Sequence, residues 1–312
     1  MYRYIIKRVL LLIPIVLCVS FLVFFMMDLA PGNVIDVLGS EYSAEEKAEL
    51  EHELGYDRSV GYRYLLYMKD LLRGDLGDSY IYKEAVLSLY LSRLPATLKL
   101  AFAGVALSLV ISIPLGIYAA MHAGKVGDNI ATAVALVGVS MPRFWFGLML
   151  ILLFSLNLKW LPSGTDTGGI KSLILPAITI ASSLLAMMTR TTRSSMLDVL
   201  NKDYLDTARA KGTSERKVIL NHALRNALIP IITVFGTQMG TCVAGAVVTE
   251  TVFTWPGIGR LTIDALNQRD TITVTGCIIL TTIMISVLML IVDLLYAMVD
   301  PRIKAMYAKG GK

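Results

Sequence analysis

Apolar runs of membrane length, each closed by polar or charged sequence, constrain this chain more than any other feature. They are Val9–Met27, Ala96–Met121, Ile130–Leu156, Leu173–Met188, Leu228–Val248 and Val274–Val299. At 1.5 Å per residue, about 19 residues nearly cover the ~30 Å hydrocarbon core of a bilayer. A segment in hydrocarbon must satisfy its own backbone hydrogen bonds, so each run is expected to be a helix. Composition agrees, with 55% hydrophobic residues, 17% charged residues and a mean hydropathy of +0.64. Soluble domains carry roughly 25% charged residues. The reading is an all-α membrane protein with six transmembrane helices.

Basic residues then orient it. Placing the N-terminus in the cytoplasm gives inner segments with Arg3, Lys7 and Arg8; Lys125; eight cations from Arg190 to Arg225; and Arg302, Lys304, Lys309 and Lys312. The outer segments 157–172 and 249–270 hold two each. The outer excursion 28–93 holds seven among an excess of acids, and long loops count little in the positive-inside rule. Both termini are therefore expected in the cytoplasm. The first run is longer than a signal-peptide core and lacks a small-x-small site after it, so it reads as a retained span.

The expected boundaries are an N-terminal span at 1–27, an extracytoplasmic cap at 28–95, a core at 96–304 with a cytoplasmic segment at 190–227, and a tail at 305–312. Inside the cap, the acid-rich stretch Glu41–Asp57, with Leu50 and Leu54 four apart, predicts one short amphipathic helix, and Tyr62–Leu72 predicts another. Pro114 is expected to bend the second span. Net charge is +5, but the cations cluster at the ends of apolar runs, which points to membrane orientation and away from nucleic acid. Cys18, Cys242 and Cys277 all fall in apolar runs without paired spacing, so neither a disulfide framework nor a metal site is expected.

The longest polar stretch in the second half is Asp198–Pro230. It reads as helix, break, helix. Asp203 is expected to cap a first turn with Asp206 three residues on, Gly212 suits a left-handed position, and Thr213 or Ser214 can cap the next helix. Composition alone leaves it open whether this is an ordinary solvated loop or a docking element. Two features stand out inside the membrane. Arg143, beside Pro142, lies near the middle of the third run, where a guanidinium costs at least a few kcal/mol unless paired or wet. It faces either water, through a bend, or an internal cavity. The fifth run carries Gly236, Gly240 and Gly245, which favour close helix packing, and Thr237, Gln238 and Thr241, which are candidates to line a polar passage. Asp293 lies close enough to the inner edge to be structural.

No energy-coupling chemistry is visible. The stretch Gly164–Lys171 lacks the GK[ST] ending of a phosphate-binding loop and falls on the outer face, and no catalytic triad or carboxylate pair is in place. A membrane protein without an engine of its own and with a structured cytoplasmic segment points to an engine that docks there.

LDTARAKG (205–212) followed by HALRNALIP (222–230) resembles the coupling-loop motif of ABC-importer permeases of the oligopeptide/dipeptide/nickel group. The broad family pattern is EAA, three residues, Gly, nine residues, Ile-x-Leu-Pro. Aligned on Gly212, it matches only at Ala208, Gly212 and Leu224; Asp206, Thr207, His222 and Arg225 depart from it. The peptide-type variant is what fits. LLRGDLGDSY (71–80), RLPATLKLA (93–101), SMPRFWFGLMLILLF (140–154), TETVFTWPGIGRL (249–261) and VDLLYAMVDPRIK (292–304) extend the resemblance, in order, over nearly the whole chain. They look like the first of the two permease subunits in such systems.

The resemblance implies a type I importer permease in a bacterial inner membrane. It would pair with a homologous second permease, two ATPase subunits and an extracytoplasmic binding protein. ATP and Mg would reside in the ATPase partners, so this chain would be neither an enzyme nor a cofactor carrier. Asp203, Asp206, Thr207, Ala208, Arg209, Lys211 and Gly212 would couple it to the ATPase, and Arg143, Thr237, Gln238 and Thr241 are the passage candidates. Di- or oligopeptides are the expected cargo. The alternatives are nickel or a metal chelate carried by the same architecture, a non-transporting scaffold or regulatory subunit, and an ion-driven carrier.

Overall fold

A computed structural model of the chain describes residues 2–38, 43–165 and 169–299. The described residues are helical: α1 (Tyr2–Leu29), α2 (Val34–Leu38), α3 (Ala44–Glu53), α4 (Val60–Leu71), α5 (Val86–Met121), α6 (Val126–Ser140), α7 (Arg143–Leu150), α8 (Ile170–Leu200), α9 (Asp203–Ala210), α10 (Glu215–Lys217), α11 (Leu224–Val252), α12 (Ile258–Asn267) and α13 (Thr271–Val299). Two π-helical stretches, Ile151–Asn157 and Val218–Ala223, lie between α7 and α8 and between α10 and α11. The tail expected at 305–312, and residues 300–304 before it, lie outside the described residues.

Among the described residues, five helical stretches are long and apolar enough to cross a membrane: Tyr4–Leu29, Val86–Met121, Ile170–Leu200, Glu215–Cys242 and Thr271–Leu294. The run expected as a third span is instead divided. α6 stops at Ser140, Met141 and Pro142 take extended backbone angles, and α7 restarts at Arg143. Proline removes a backbone donor and pushes the residue before it out of the helical region, which breaks the run where it stands. Arg143 consequently opens a helix and does not sit mid-helix.

Other helices outrun their apolar stretches. α5 starts ten residues before Ala96, α8 continues past Met188 to Leu200, and helix runs unbroken from Glu215 into α11. Hydropathy marks only the greasy part of a helix. In α8 ladder bonds carry the helix on into polar sequence that holds no breaker, whereas α5 runs through Pro95.

The chain divides into two compact units. The first comprises Met1–Tyr4, Leu98–Trp255 and Leu288–Lys312; the second comprises Ile5–Thr97 and Pro256–Val287. In the first unit α8 is the central helix, packed by α6, α7 and α11. Lipid tails are as apolar as leucine, so helices in a membrane are held by close packing, and small residues permit it. A Cβ added at Gly104 or Gly116 of α5 would lie 2.6 Å from Ile180 or 2.5 Å from Thr192 of α8. At Gly138 of α6 it would meet the Ser182 carbonyl at 3.2 Å, and at Gly147 of α7 it would meet Phe253 at 3.0 Å. The chain after α11 folds back, burying Phe253 and Trp255 completely, with Lys99 Nζ 5.4 Å from the Trp255 ring centre.

In the second unit, Leu76, Val86, Leu89, Tyr90, Ile258, Leu261 and Cys277 form one apolar cluster, and Phe24, Tyr67 and Ile279 form another. Buried Asp270 caps α13. It accepts from the Thr273 N–H at 3.1 Å and from the hydroxyls of Thr273 and Ser79 at 2.7 and 2.5 Å. The two amphipathic helices expected between 41 and 72 are present as α3 and α4, α3 with a reciprocal cap between Ser43 and Glu46.

Gly116→Val is expected to lower the stability of the solubilised protein by about 1–3 kcal/mol, the usual cost of overpacking. Thermal unfolding in detergent measures it. Gly61→Val serves as the control, because there a Cβ meets nothing within 4 Å and the backbone angle is ordinary.

Candidate functional site

α9 and the turn after it form a braced projection. Its first helical residue is Asp203 and its cap position is Lys202, with no side-chain cap bond. The expected capping role of Asp203 is therefore not seen: it lies inside the first turn, where its charge favours the helix N-terminus instead. At the other end, Gly212 has φ +76°. The Gly212 N–H donates to the Arg209 carbonyl at 2.9 Å and the Thr213 N–H to the Ala208 carbonyl at 3.3 Å. This Schellman pairing needs a left-handed residue at the position of Gly212, which glycine occupies without a Cβ clash. Ser214 is next, as the cap position of α10, again without a side-chain bond.

Three contacts fix the projection from behind. Leu205 is fully buried on the side where α9 meets Val218–Ala223, a segment whose Val218, Ile219 and Ala223 are buried too. Asn226, in the first turn of α11, donates to the Tyr204 hydroxyl at 2.9 Å. The Arg209 guanidinium forks onto Glu215 at 3.1 and 3.0 Å and reaches Asp206 at 2.8 Å, tying α9 to α10 across the turn. Of the seven residues expected to couple, Asp203, Asp206, Thr207, Lys211 and Gly212 are exposed. Ala208 and Arg209 are half-buried, and Arg209 is engaged within the chain. It positions the turn.

A second anchor lies on α8, ten residues before α9. Arg193 donates from Nε and Nη2 to the two oxygens of Asp128 at 2.5 and 2.6 Å, joining α8 to the start of α6. The Asp128 side chain is 4% exposed and also accepts the Gly124 N–H at 2.9 Å. Those donors, Arg193 first, hold its carboxyl well below the usual carboxylate range, at about 2. Sequence reasoning missed this pair. Its only trace is an acid beside a glycine turn and a cation on a helix 65 residues away, a separation that local pattern cannot bridge.

Arg143 donates from Nε to the Ser183 hydroxyl of α8 at 2.8 Å, and its guanidinium lies against Gly245 of α11, where a Cβ would sit 1.7 Å from Nη1. Among the described residues no carboxylate pairs with it. Thr233, Thr237 and Thr241 are exposed along α11 at four-residue intervals, and Gly245 continues that line by one more step. Arg143 therefore sits at one end of the threonine stripe. Thr237 and Thr241 bond their hydroxyls to carbonyls of their own helix at 2.9 and 2.7 Å, while half-buried Gln238 accepts weakly from Thr241 at 3.3 Å. Gly236 and Gly240 are buried on the adjacent face. The small residues and the exposed threonines thus lie on different sides of the helix.

A braced, exposed turn and a polar stripe thus lie on helices of membrane length. Residues 112–305 match the family described as binding-protein-dependent transport system inner membrane component, and residues 1–101 match the N-terminal region of such membrane components. The chain belongs to this family of transport permeases. It is 40% identical to the di/tripeptide transport system permease protein DppB of Pseudomonas aeruginosa (strain UCBPP-PA14), over 97% of this chain and 99% of that one. It is also 40% identical to the oligopeptide transport system permease protein AppB of Bacillus subtilis (strain 168), over 97% and 100% of the two chains. Among solved structures, an inward-facing form of the MetNI methionine ABC transporter covers 69% of this chain and 97% of its own, with a TM-score of 0.58 at 14% identity. That likeness establishes the type I importer permease fold.

The Asp128–Arg193 pair has a defined pH signature. Asp128 titrates near 3.9 when unfolded and at about 2 when folded, so its contribution is complete above about pH 4 and disappears as pH falls toward 2. Asp128→Asn should melt at a lower temperature than the parent by a constant margin from pH 8 to 5. The margin should close below pH 4.

Proposed function

We propose that this chain is the first permease subunit of an ATP-driven importer of di- and oligopeptides. It forms the passage with a homologous second permease, is served by two ATPase subunits and receives cargo from an extracytoplasmic binding protein. The observation that carries this reading is the α9 turn, rigidly fixed from behind and polar and exposed in front. A groove on an ATPase subunit would take the face of Asp203, Asp206, Thr207, Lys211 and Gly212. The distribution of basic residues supports placing this turn, with both termini, in the cytoplasm. The peptide cargo rests on the two relatives named for di/tripeptide and oligopeptide transport.

Closure of the ATPase pair on ATP would push α9, and the push would pass into α8 and α11, which leave the turn on either side. Arg193 and Asp128 would carry α6 along with α8. The exposed stripe of Thr233, Thr237 and Thr241, ending at Arg143, would face the passage. There the guanidinium would attract the carboxylate of a passing peptide.

ATP-dependent peptide uptake in vesicles holding the four subunits tests the reading. Gly212→Val places a β-branched residue at φ +76° and should abolish uptake while membrane insertion persists; Gly212→Asn, which tolerates that backbone better, should retain part of it. Normal uptake by the valine variant would sink the coupling assignment. Arg143→Ala should weaken uptake of peptides with a free C-terminal carboxylate more than uptake of their amides. Equal effects on both would make Arg143 merely structural.

A further inference from the structure

α4 comes some thirty residues after α1 in the chain and belongs by sequence to a polar excursion, yet its contacts lie far down α1. The Tyr64 hydroxyl is 3.3 Å from the Leu17 carbonyl and 3.1 Å from Ser20 Oγ, and Ser20 also reaches Met68 Sδ at 3.8 Å. The Tyr64 ring meets Phe21 and Phe24 edge-on with centres 5.6 Å apart, and Tyr67 lies 5.8 Å from Phe24.

The depth of α1 in a bilayer is pinned by its own sequence. Its apolar run, Val9–Met27, spans about 28 Å, just the thickness of the hydrocarbon core. Arg3, Lys7 and Arg8 flank one end and Asp28 the other. Sliding α1 outward would expose apolar residues at one end and drag three cations into lipid at the other. Leu17 is ten residues below Met27, about 15 Å. A tyrosine side chain is about 6.5 Å long and its hydrogen bond adds about 3 Å, so the backbone of Tyr64 lies at least about 5 Å beneath the level of Met27. α13 gives an independent gauge: Tyr67 packs with Ile279, eight residues or about 12 Å along that helix from Thr271.

The surface of α4 is sorted to match. Tyr64, Tyr67, Met68 and Leu71 turn toward α1 and α13. On the opposite face Leu65 and Leu72 are exposed, by 67% and 86%, while Tyr62 beside them carries the Arg58 guanidinium over its ring, 5.1 Å from the centre. A third side carries Arg63, Leu66 and Asp70, which line an open cavity of about 440 Å³, and Arg63 reaches up to pair with Asp28 at the end of α1. Lys69, on the lipid-facing side, has a stem long enough to lift its ammonium to headgroup level.

We propose that α4 is immersed in the bilayer, in the leaflet entered by the C-terminal half of α1, with Leu65 and Leu72 against lipid acyl chains. The depth is at least that of interfacial amphipathic helices, which sink about 5–10 Å into the boundary of headgroups and chains. The proposal stands apart from the cargo and coupling readings, since it rests only on α1, α4 and α13.

Spin labelling tests it. In a Cys18→Ser background, whose other cysteines are buried, nitroxides are placed at Leu65→Cys, Leu72→Cys and, as an exposed reference on α3, Glu49→Cys. The complex purified through this chain is reconstituted into phosphatidylethanolamine–phosphatidylglycerol vesicles. The ratio of oxygen to nickel-chelate accessibility at 65 and 72 should exceed that at 49 by about tenfold, because water is excluded from hydrocarbon. A chelate-accessible label at 65 and 72 would place α4 in water and overturn the proposal. Labels shielded from both reagents would mean that protein covers the face, which overturns it equally.

Discussion

Close approach of helices at small residues is the constraint on which the first unit depends. In hydrocarbon there is no hydrophobic drive between helices, so contact must come from packing and buried polar bonds. α8 receives α5 at Gly104 and Gly116, α6 at Gly138 and the α7 edge near Gly147, each within a few ångströms of where a Cβ would lie. Interfaces this tight do not deform smoothly; they shift as bodies or not at all. The bidentate Arg193–Asp128 pair adds a directional bond at the end of α8 nearest α9. A helix clamped in this way transmits displacement along its length.

The α9 turn obeys the same logic. Two long helices, α8 and α11, leave it on either side, and Leu205, Tyr204–Asn226 and Arg209–Glu215 keep it from moving independently of them. Its outward face is left polar. The π-helical stretch Val218–Ala223 falls where the turn hands over to α11. An extra residue per turn there lets buried Val218, Ile219 and Ala223 meet α9 while α11 continues on its own axis. Arg143 shows the complementary use of small residues. Gly245 provides the room and Ser183 the acceptor, so a cation is held beside the threonine stripe without a carboxylate neutralising it among the described residues.

Much of this was legible in the residues, and what was not has physical causes. The apolar runs mark the membrane-length helices because lipid demands both length and apolarity. The turn at Gly212 was visible because few residues adopt φ +76° cheaply. Helix ends were not, since α8 extends past Met188 through sequence without proline or glycine, and α5 runs through Pro95, which reads as a stop but lies inside the helix. The break at Met141–Pro142 was legible as an interruption, but its consequence, Arg143 opening a new helix, was not. Asp203 misled because acids favour both the cap and the first turn. The anchors of the site, Asp128 with Arg193 and Tyr204 with Asn226, join residues 65 and 22 positions apart. Such pairs are products of tertiary packing and leave no local periodicity to read.

The central claim is that the exposed face of the α9 turn meets an ATPase subunit and transmits its motion. Cysteines at Thr207 and Lys211, crosslinked in native membranes to the co-purifying ATPase by a short bifunctional reagent, test it most directly. The account predicts crosslinks at both positions whose yield changes between nucleotide-free and ATP-bound membranes, with none from Tyr62 on α4. Absence of ATPase adducts at both positions in an intact, ATP-hydrolysing complex would contradict it.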